Sequence, residues 1–511
     1  MQQLKEPELT TPEKRGNAEA APVRLAPRPE SSHAPQPNVF RRIESEFIRR
    51  AIFPVFDRRW HPRTQRYLAE LRALEFSSLD QVIERQWAKL KTMVDYAGAN
   101  VPYYQETFRQ AGIAAGDIRS FEDYRQIPVL RKSTLQGRQN DLISSSRQRE
   151  EGISNASGGS TGKPVQFYQD EEYWNRSAAS ERFVEGWWGI RPGDRLASVW
   201  GTDRDVPEQT WRERLYGCIA QTRLCNAFAL QGGQMEEFAK MLAAWQPRHL
   251  TGYASGMAVF ARFVVERPEL VIRPRAVRTT ADVLGEDRRA VIQQAFQCPV
   301  YNFYGSREIN NLAAECPEHS GLHTNSLTRY IEIVDDAGHP LPPGKPGRIL
   351  LTDLTNFFMP FLRYEIEDVG SWSAKKCSCG RPLPLIEKLW GRSSDFIVTP
   401  EGKLIHSVFF THLFYDMPEV SLFQFVQKSV GDVRIYLVLR PGEPGYRSAL
   451  LDERLRAALG PRVQFTVETV EKIDRPPSGK HRFVISSVAP PWGSGQMAEN
   501  QSVPVMNQWK R

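Results

Sequence analysis

Between residues 195 and 305 the apolar segments alternate in kind. RLASVWG (195–201), RHLTGY (248–253), AVRTT (276–280) and PVYNFYG (299–305) are short, β-branched or aromatic runs of strand length. EEFAKMLAAW (236–245), GMAVFARFVVE (256–266) and DRRAVIQQAF (287–296) carry apolar residues at helical spacing. Strands and helices that alternate at this interval give an α/β domain with a largely parallel sheet. Ligands of such sheets sit beyond the carboxyl ends of the strands. The segments Gly201-Thr202-Asp203, Gly252-Tyr253-Ala254 and Tyr304-Gly305-Ser306 are therefore the first places to look for a site.

Upstream, Val82, Ile83, Trp87, Leu90, Met93, Val94 and Ala97 predict a core-facing helix over Ser78–Gln110, broken at Pro102. Downstream, residues 327–374 change to β-rich runs separated by Asp-Gly and Pro-Gly turn signals, which predict hairpins. From Gly391 the runs DFIVT, LFQFVQ, RIYLVL and QFTVETV, with a helix over 447–459, predict a compact α+β unit. With 511 residues, two or more domains are expected. Residues 1–38 and 489–511 are polar and proline-rich and are expected to be disordered, leaving a large domain over 39–390 and a small one over 391–488.

Composition excludes several classes. No apolar run is long enough to span a membrane, and the N-terminus lacks the apolar core of a signal peptide. Six cysteines in this length do not make a disulfide scaffold, so a reducing, cytoplasmic setting is expected. A net charge of +7 is mild for the size. Arg41-Arg42 and Arg49-Arg50 could meet phosphate or acidic lipid, but a solvated helix face explains them more simply. No stacking or recognition motif for nucleic acid accompanies them.

Three segments carry chemistry. Ser157-Gly158-Gly159-Ser160-Thr161-Gly162-Lys163 offers backbone N–H groups, hydroxyls and one ammonium at a single point, which suits a polyphosphate. It is not a Walker A loop: three residues, not four, separate Gly158 from Gly162, and Pro164 follows the lysine. On its own it reads equally as a flexible linker. Tyr304-Gly305-Ser306-Arg307-Glu308 and Arg363-Tyr364-Glu365-Ile366-Glu367-Asp368 place an aromatic and carboxylates at strand ends, where they could stack on a base, hold Mg²⁺ or accept ribose hydroxyls, or simply cap strands. Asp474-Arg475-Pro476-Pro477-Ser478-Gly479-Lys480 puts one lysine on an exposed loop.

In this order and separation, SGGSTGKP, YGSRE, RYEIED, GRSSD and PPSGK resemble the adenylate-forming (AMP-forming) ligase superfamily. VPYYQETF, IPVLRKSTL, TGYASGM, TTADVLGE, AAECPEHSGLH, LTDLTN, MPFLRY and CSCGRPLP are similar to its phenylacetate–CoA ligase and CapK-like branch, over roughly residues 80–485. The resemblance implies a large adenylation domain with mixed, largely parallel sheets plus hairpins, and a small mobile α+β C-terminal domain. It implies that Ser157–Lys163 wraps the outer phosphates of ATP, Tyr304 with Gly305 and Ser306 meets the adenine side, Glu308 helps hold Mg²⁺, Asp368 binds the ribose and Arg392 reaches the ribose or phosphate edge. Lys480 would bridge the carboxylate and the α-phosphate. Ser394 stands where the family usually carries Asp, which leaves the hinge position open.

The implied reaction is ATP-dependent conversion of a small carboxylic acid to an acyl-adenylate, then transfer to coenzyme A. Transfer to an amine or a carrier-protein thiol is an alternative, and a catalytically inactive nucleotide-binding protein is another. Trp200, Thr202, Tyr253 and Met257 are expected at the acyl pocket, and a homodimer is compatible with the sequence. Cys316-Pro-Glu-His319-Ser-Gly-Leu-His323 and Cys377-Ser-Cys379 gather thiols and imidazoles in two knuckle-like turns, which suits Zn²⁺. The resemblance supports Cys316, His323, Cys377 and Cys379 as ligands of a structural zinc, with His319 the rival of His323. Cys218, Cys225 and Cys298 are expected in the core.

Overall fold

The structure, a computed structural model, describes residues 45–157, 165–200, 215, 217–226, 233–392, 395–407, 410, 413–414, 417–474 and 482–488. Its strands are β1 (Ile153–Ala156), β2 (Gln166–Gln169), β3 (Leu196–Trp200), β4 (Thr222–Asn226), β5 (His249–Tyr253), β6 (Ala276–Thr280), β7 (Val300–Tyr304), β8 (Ala313–Glu315), β9 (Leu322–Thr324) and β10 (Arg329–Val334). They continue as β11 (Gly347–Asp353), β12 (Tyr364–Trp372), β13 (Leu385–Arg392), β14 (Phe396–Val398), β15 (Leu404–His406), β16 (Val420–Ser429), β17 (Asp432–Leu439), β18 (Gln464–Thr469) and β19 (Val484–Ser486).

One 11-stranded sheet runs β10-β11-β12-β13-β9-β8-β7-β6-β5-β3-β4. The half from β4 to β7 is parallel, as strand–helix alternation requires. From β7 to β10 every pairing is antiparallel, so the sheet is mixed rather than largely parallel. Side chains of alternate residues explain the two faces. Val277 and Val300 join a core with the helices Gly233–Trp245, Ala254–Val265 and Glu286–Phe296, whereas their neighbours Ala276 and Tyr301 pack toward the helices Thr64–Ala73 and Glu171–Trp187. Burial on both faces is why these strands read as apolar runs.

The expected helix over 78–110 is two helices. Leu79–Asn100 starts at a capping box between Ser78 and Gln81, and Pro102 opens Pro102–Ala111, which ends on left-handed Gly112. The C-terminal unit has its own apolar core and a four-stranded sheet, β18-β17-β16-β19, covered by the helix Ser448–Leu459. Strand β4 lies at a sheet edge, and β8 and β9 have three residues each, too few to show a period in the sequence. Cys218 is exposed rather than in the core, Cys298 is half-buried, and the side chain of Cys225 is outside the described residues. Among the described residues, no helix is long and apolar enough to cross a membrane.

One buried cation fixes the rim on which the strand ends sit. Arg329 is 1% exposed; it bonds Asp353 at 2.7 Å, Thr355 Oγ1 at 2.8 Å and the carbonyl of Asn310 at 2.9 Å. It thereby ties β10 and β11 to the loop that follows β7. Asp353→Ala leaves this guanidinium buried without its counter-ion, and a loss of about 3–5 kcal/mol is expected in urea unfolding. A loss below about 1 kcal/mol, the size for an exposed pair, would contradict that account.

Candidate active site

Strands β1 and β2 form a two-stranded antiparallel hairpin. Its last rung is double: Ser157 N donates to the Val165 carbonyl at 2.8 Å, and Val165 N donates to Ser157 Oγ at 2.9 Å. Gly158, Gly159, Ser160, Thr161, Gly162 and Lys163 lie outside the described residues. The flanking geometry nevertheless answers the linker reading, because the segment joins two paired strands of one hairpin. The hairpin is stitched to the turn after β7. Gln169 Nε2 donates to the carbonyls of Arg307 and Glu308 at 3.3 and 3.2 Å, and Arg307 Nη1 donates to the Ala156 carbonyl at 3.3 Å.

That turn is tight. Ser306 N donates to the Ile309 carbonyl at 3.1 Å, and Ile309 N donates to Ser306 Oγ at 3.0 Å. A Cβ on Gly305 would stand 3.2 Å from the backbone N of Asn311, closer than most such contacts. The turn delivers Glu308, which is 8% exposed and whose carboxylate has no hydrogen bond or ion pair with any described residue.

Tyr304, the last residue of β7, buries its ring in the core and donates its hydroxyl to Asp368 Oδ2 at 2.8 Å. Burial, then the Asp368 carboxylate, holds this phenol well above its ordinary range, so it stays a donor. Asp368 faces Arg392 across the β12–β13 ladder, and Arg392 Nε lies 3.1 Å from Asp368 Oδ1. The Asp368 charge is the main cause that raises the guanidinium still higher. Arg392 also neighbours Glu367 at 3.6 Å and donates to the Ile366 carbonyl at 3.0 Å. Asp368 keeps unused lone pairs on both oxygens, since each oxygen has one protein partner here.

Of the sequence-derived candidates, Tyr304, Gly305, Ser306, Glu308, Asp368 and Arg392 thus gather at the ends of β7 and β13 and the middle of β12, with Ser157 at the base of a hairpin bonded to the same turn. Lys480 and Thr202 lie outside the described residues, as does the side chain of Trp200. Tyr253 ends β5 and is buried, which pushes its phenol up to about 12. Met257 is fully buried in the apolar core of the parallel half, a packing position. Gly252 has a sharper constraint, for a Cβ there would stand 2.4 Å from the Val199 carbonyl of the neighbouring strand. Residues that sequence reasoning passed over include Gln169, Lys132 and Arg482. Lys132 Nζ donates to Glu367 at 3.1 Å, and Arg482 lies 3.4 Å from Asp395, whose other oxygen accepts from Arg392 N at 3.3 Å. Lys132 sits in the quoted stretch IPVLRKSTL, but nothing in the spacing pairs it with Glu367.

A second constellation lies at the foot of β8, β9 and β13. One ligand atom from each of Cys316, His323, Cys377 and Cys379 lies within 4.8 Å of the others. Cys316 Sγ is 3.5 Å from Cys377 Sγ, and Cys379 Sγ is 3.3 Å from His323 Nε2. Tetrahedral zinc with bonds of about 2.3 Å to sulfur and about 2.0 Å to nitrogen sets its ligand atoms about 3.3–3.8 Å apart. His323 Nδ1 is 3.4 Å from the Leu383 carbonyl, which fits Nδ1–H as donor and leaves Nε2 facing the thiols. His319 is engaged elsewhere, stacked on Tyr301 at 5.1 Å and 3.3 Å from Glu315.

Comparison with known proteins gives these positions a context. Residues 397–487 match the CapK C-terminal domain family. Protein CapK of Staphylococcus aureus is 24% identical over 83% of this chain and 93% of its own length. The phenylacetate–coenzyme A ligase of Thermus thermophilus is 28% identical over 65% of this chain and 74% of its own length, and that of Pseudomonas putida is 27% identical over 65% and 75%. Among solved structures, 2-hydroxyisobutyryl-CoA ligase in the postadenylation state superposes with a TM-score of 0.63, at 18% identity over 83% of this chain and 91% of that one. Alignment along nearly the full length of CapK, the shared fold and the matched C-terminal domain agree: the chain is a homologue of CapK and the phenylacetate–CoA ligases and has the fold of an AMP-forming CoA ligase.

Proposed function

We propose that the protein uses ATP to convert a carboxylic acid to an acyl-adenylate, releasing pyrophosphate, and then passes the acyl group to the thiol of coenzyme A. The observation that carries this reading is the meeting of Tyr304, Glu308, Asp368 and Arg392 beside the Ser157 hairpin, in a chain related to phenylacetate–coenzyme A ligases. In the first step a carboxylate oxygen bonds to the α-phosphorus and the bond to pyrophosphate breaks. In the second a thiolate attacks the acyl carbon and AMP leaves. An anion must approach an anion, so neutralising charge and aligning the reactants are the main tasks.

In this reading the hairpin tip, residues 157–163, holds the outer phosphates. Tyr304 borders the adenine, with Gly305 and Ser306 giving it close approach. Asp368 accepts the ribose hydroxyls, Arg392 reaches the ribose or phosphate edge, and Tyr253 with Trp200 and Thr202 marks the acyl side. Glu308 is suited to hold Mg²⁺, because its half-enclosed carboxylate has no partner among the described residues; the ion would neutralise phosphate charge. Lys480, near the end of the small C-terminal domain of 391–488, would bridge the two anionic reactants. ATP and coenzyme A would locate the reaction in the cytoplasm.

A second reading keeps the adenylation and changes the acceptor to an amine or a carrier-protein thiol. It is favoured by one observation. The C-terminal unit matches the CapK domain, and CapK aligns over 83% of the chain where the coenzyme A ligases align over 65%. ATP–pyrophosphate exchange across a panel of carboxylic acids tests the adenylation common to both readings. Thioester formation on addition of coenzyme A then selects the first. Lys480→Ala is expected to lower exchange by at least about 10²-fold while leaving thioester formation from supplied acyl-AMP intact. Wild-type exchange in that variant would remove the lysine from the reaction.

For the cysteine–histidine cluster we propose a structural Zn²⁺ on Cys316, His323, Cys377 and Cys379, supported by the ligand spacing. All four positions are filled by protein, so no catalytic role follows. The purified protein should carry one zinc per chain by elemental analysis. Cys377→Ser with Cys379→Ser should lose it and lower the melting temperature, while exchange per folded molecule persists. Metal-free wild-type protein of unchanged stability would defeat the assignment.

A further inference from the structure

Glu367 stands at φ +68°, a left-handed conformation that is uncommon for a residue with a long side chain. The reason is local. The β11–β12 register runs Arg348↔Val369 and then Leu350↔Glu365, so Ile366, Glu367 and Asp368 together face one residue of β11. The extra residues bulge, and a bulge re-aims the side chains it carries. One of them is Asp368. The other, Glu367, has its Oε2 between two cations, 3.1 Å from Lys132 Nζ and 3.6 Å from Arg392 Nη1. Lys132 is held there by backbone: Leu130 bridges to Tyr364, with Leu130 N donating to the Arg363 carbonyl at 3.1 Å and Glu365 N to the Leu130 carbonyl at 2.9 Å.

We propose that Glu367 is a positioning residue, fixed by Lys132, that holds the Arg392 guanidinium at the side of Asp368 and so sets the geometry in which Asp368 receives the nucleotide. The inference rests on the adenylation reading and goes beyond it. The charges explain the need for a third party. Arg392 faces Asp368, Glu367 and Glu308 and is the last residue of β13, three positions before Asp395. With Asp368 as its only neighbour in the bulge, the guanidinium would be drawn fully onto the carboxylate that must also accept hydroxyls. Glu367 divides that attraction, and Lys132 neutralises Glu367 in turn. Three carboxylates against two cations leave this cluster with one surplus negative charge, which suits a site that must admit a metal ion with its nucleotide.

Four variants test it: Glu367→Gln, Glu367→Gly, Lys132→Met and the double variant Glu367→Gln/Lys132→Met. Glycine relieves the left-handed strain, so Glu367→Gly should melt at or above the wild-type temperature. All four should nonetheless raise KM for ATP in the exchange assay by about tenfold, the size of one charge-assisted hydrogen bond. KM for the acid should stay within about twofold, and the double variant should be no worse than either single one, as expected for one coupled pair. Hydrogen–deuterium exchange of residues 385–392 in the free protein reads the positioning without any activity, and it should quicken in every variant. Unchanged deuterium uptake overturns the proposal even if the protein adenylates nothing. Quickened uptake with a wild-type KM for ATP overturns it too, as does a KM rise that is additive in the double variant. Wild-type protein without exchange on any acid tells instead against the adenylation reading, and the deuterium measurement still decides whether Glu367 positions Arg392.

Discussion

The hydrogen bond from Tyr304 to Asp368, 2.8 Å long, is the constraint on which the site depends. Tyr304 ends β7, where the sheet changes from parallel to antiparallel, and Asp368 lies on β12. Between them in the sheet stand β8, β9 and β13. Neighbouring strands are about 4.8 Å apart, so in a flat sheet these positions would be separated by about 19 Å across the strands. A tyrosine and an aspartate side chain together cannot span that. The antiparallel half must curl back over the end of the parallel half. The concavity so formed is what brings residues 64 positions apart in the chain together, and the ring of Tyr304 packs in the core beside it.

Curling places unlike charges together in a half-enclosed space, and this decides the chemistry on offer. Asp368, Glu367 and Glu308 surround Arg392, and Lys132 adjoins them. Lys132 and Arg392 bring two positive charges to these three carboxylates. Glu308 is the group left over. Elsewhere the chain's buried charges serve the architecture: Arg329 with Asp353 locks the rim, and Arg363 with Glu332 ties the start of β12 to β10 while its Nη1 reaches the Ile127 carbonyl and its Nη2 the Gly338 carbonyl. Both arginines have a carboxylate partner within the fold. Glu308, poorly exposed, has no partner for its carboxylate among the described residues.

The parallel half was legible because its strands are buried on both faces and its helices have regular apolar spacing. AVRTT is a strand over 276–280, and the helix read over 287–296 runs Glu286–Phe296. The order of motifs was enough to nominate Tyr304, Asp368, Glu308 and Arg392. Their mutual contacts were not legible, since they arise from the curl of the sheet and not from local pattern. The bulge that turns Glu367 to φ +68° carries no glycine to advertise it, and Asn311 at φ +55° and Ala281 at φ +68° are equally silent. Met257 illustrates the opposite error. A sulfur-bearing side chain after a strand end looks like a pocket residue, yet the turn of helix that follows β5 points it into the core. The cysteine–histidine set was found from spacing, and only the three-dimensional arrangement separates His323 from His319.

The junction between the two parts carries its own electrostatic argument. Asp395 is half-buried just past β13, and its desolvation raises its pKa while Arg482 and Arg392 oppose that rise. One oxygen accepts from Arg392 N, and the other faces Arg482 at the start of the segment that closes the small unit. The apolar contact that accompanies it is slight: Val369 and Trp390 of the large sheet meet Phe396, Val398, Leu404 and Val488. The Asp395–Arg482 ion pair lies within the small unit, and the bond from Arg392 N to Asp395 links it to the end of β13. Arg482 lies two residues after Lys480. A displacement of Arg482 either takes it out of reach of Asp395, leaving a half-buried carboxylate to be protonated or hydrated, or swings Asp395 with it. The second course would pull on Arg392 N and hence on the geometry of Asp368. Through that second course the position of Arg482 and the geometry of Asp368 are coupled by a single aspartate, Asp395.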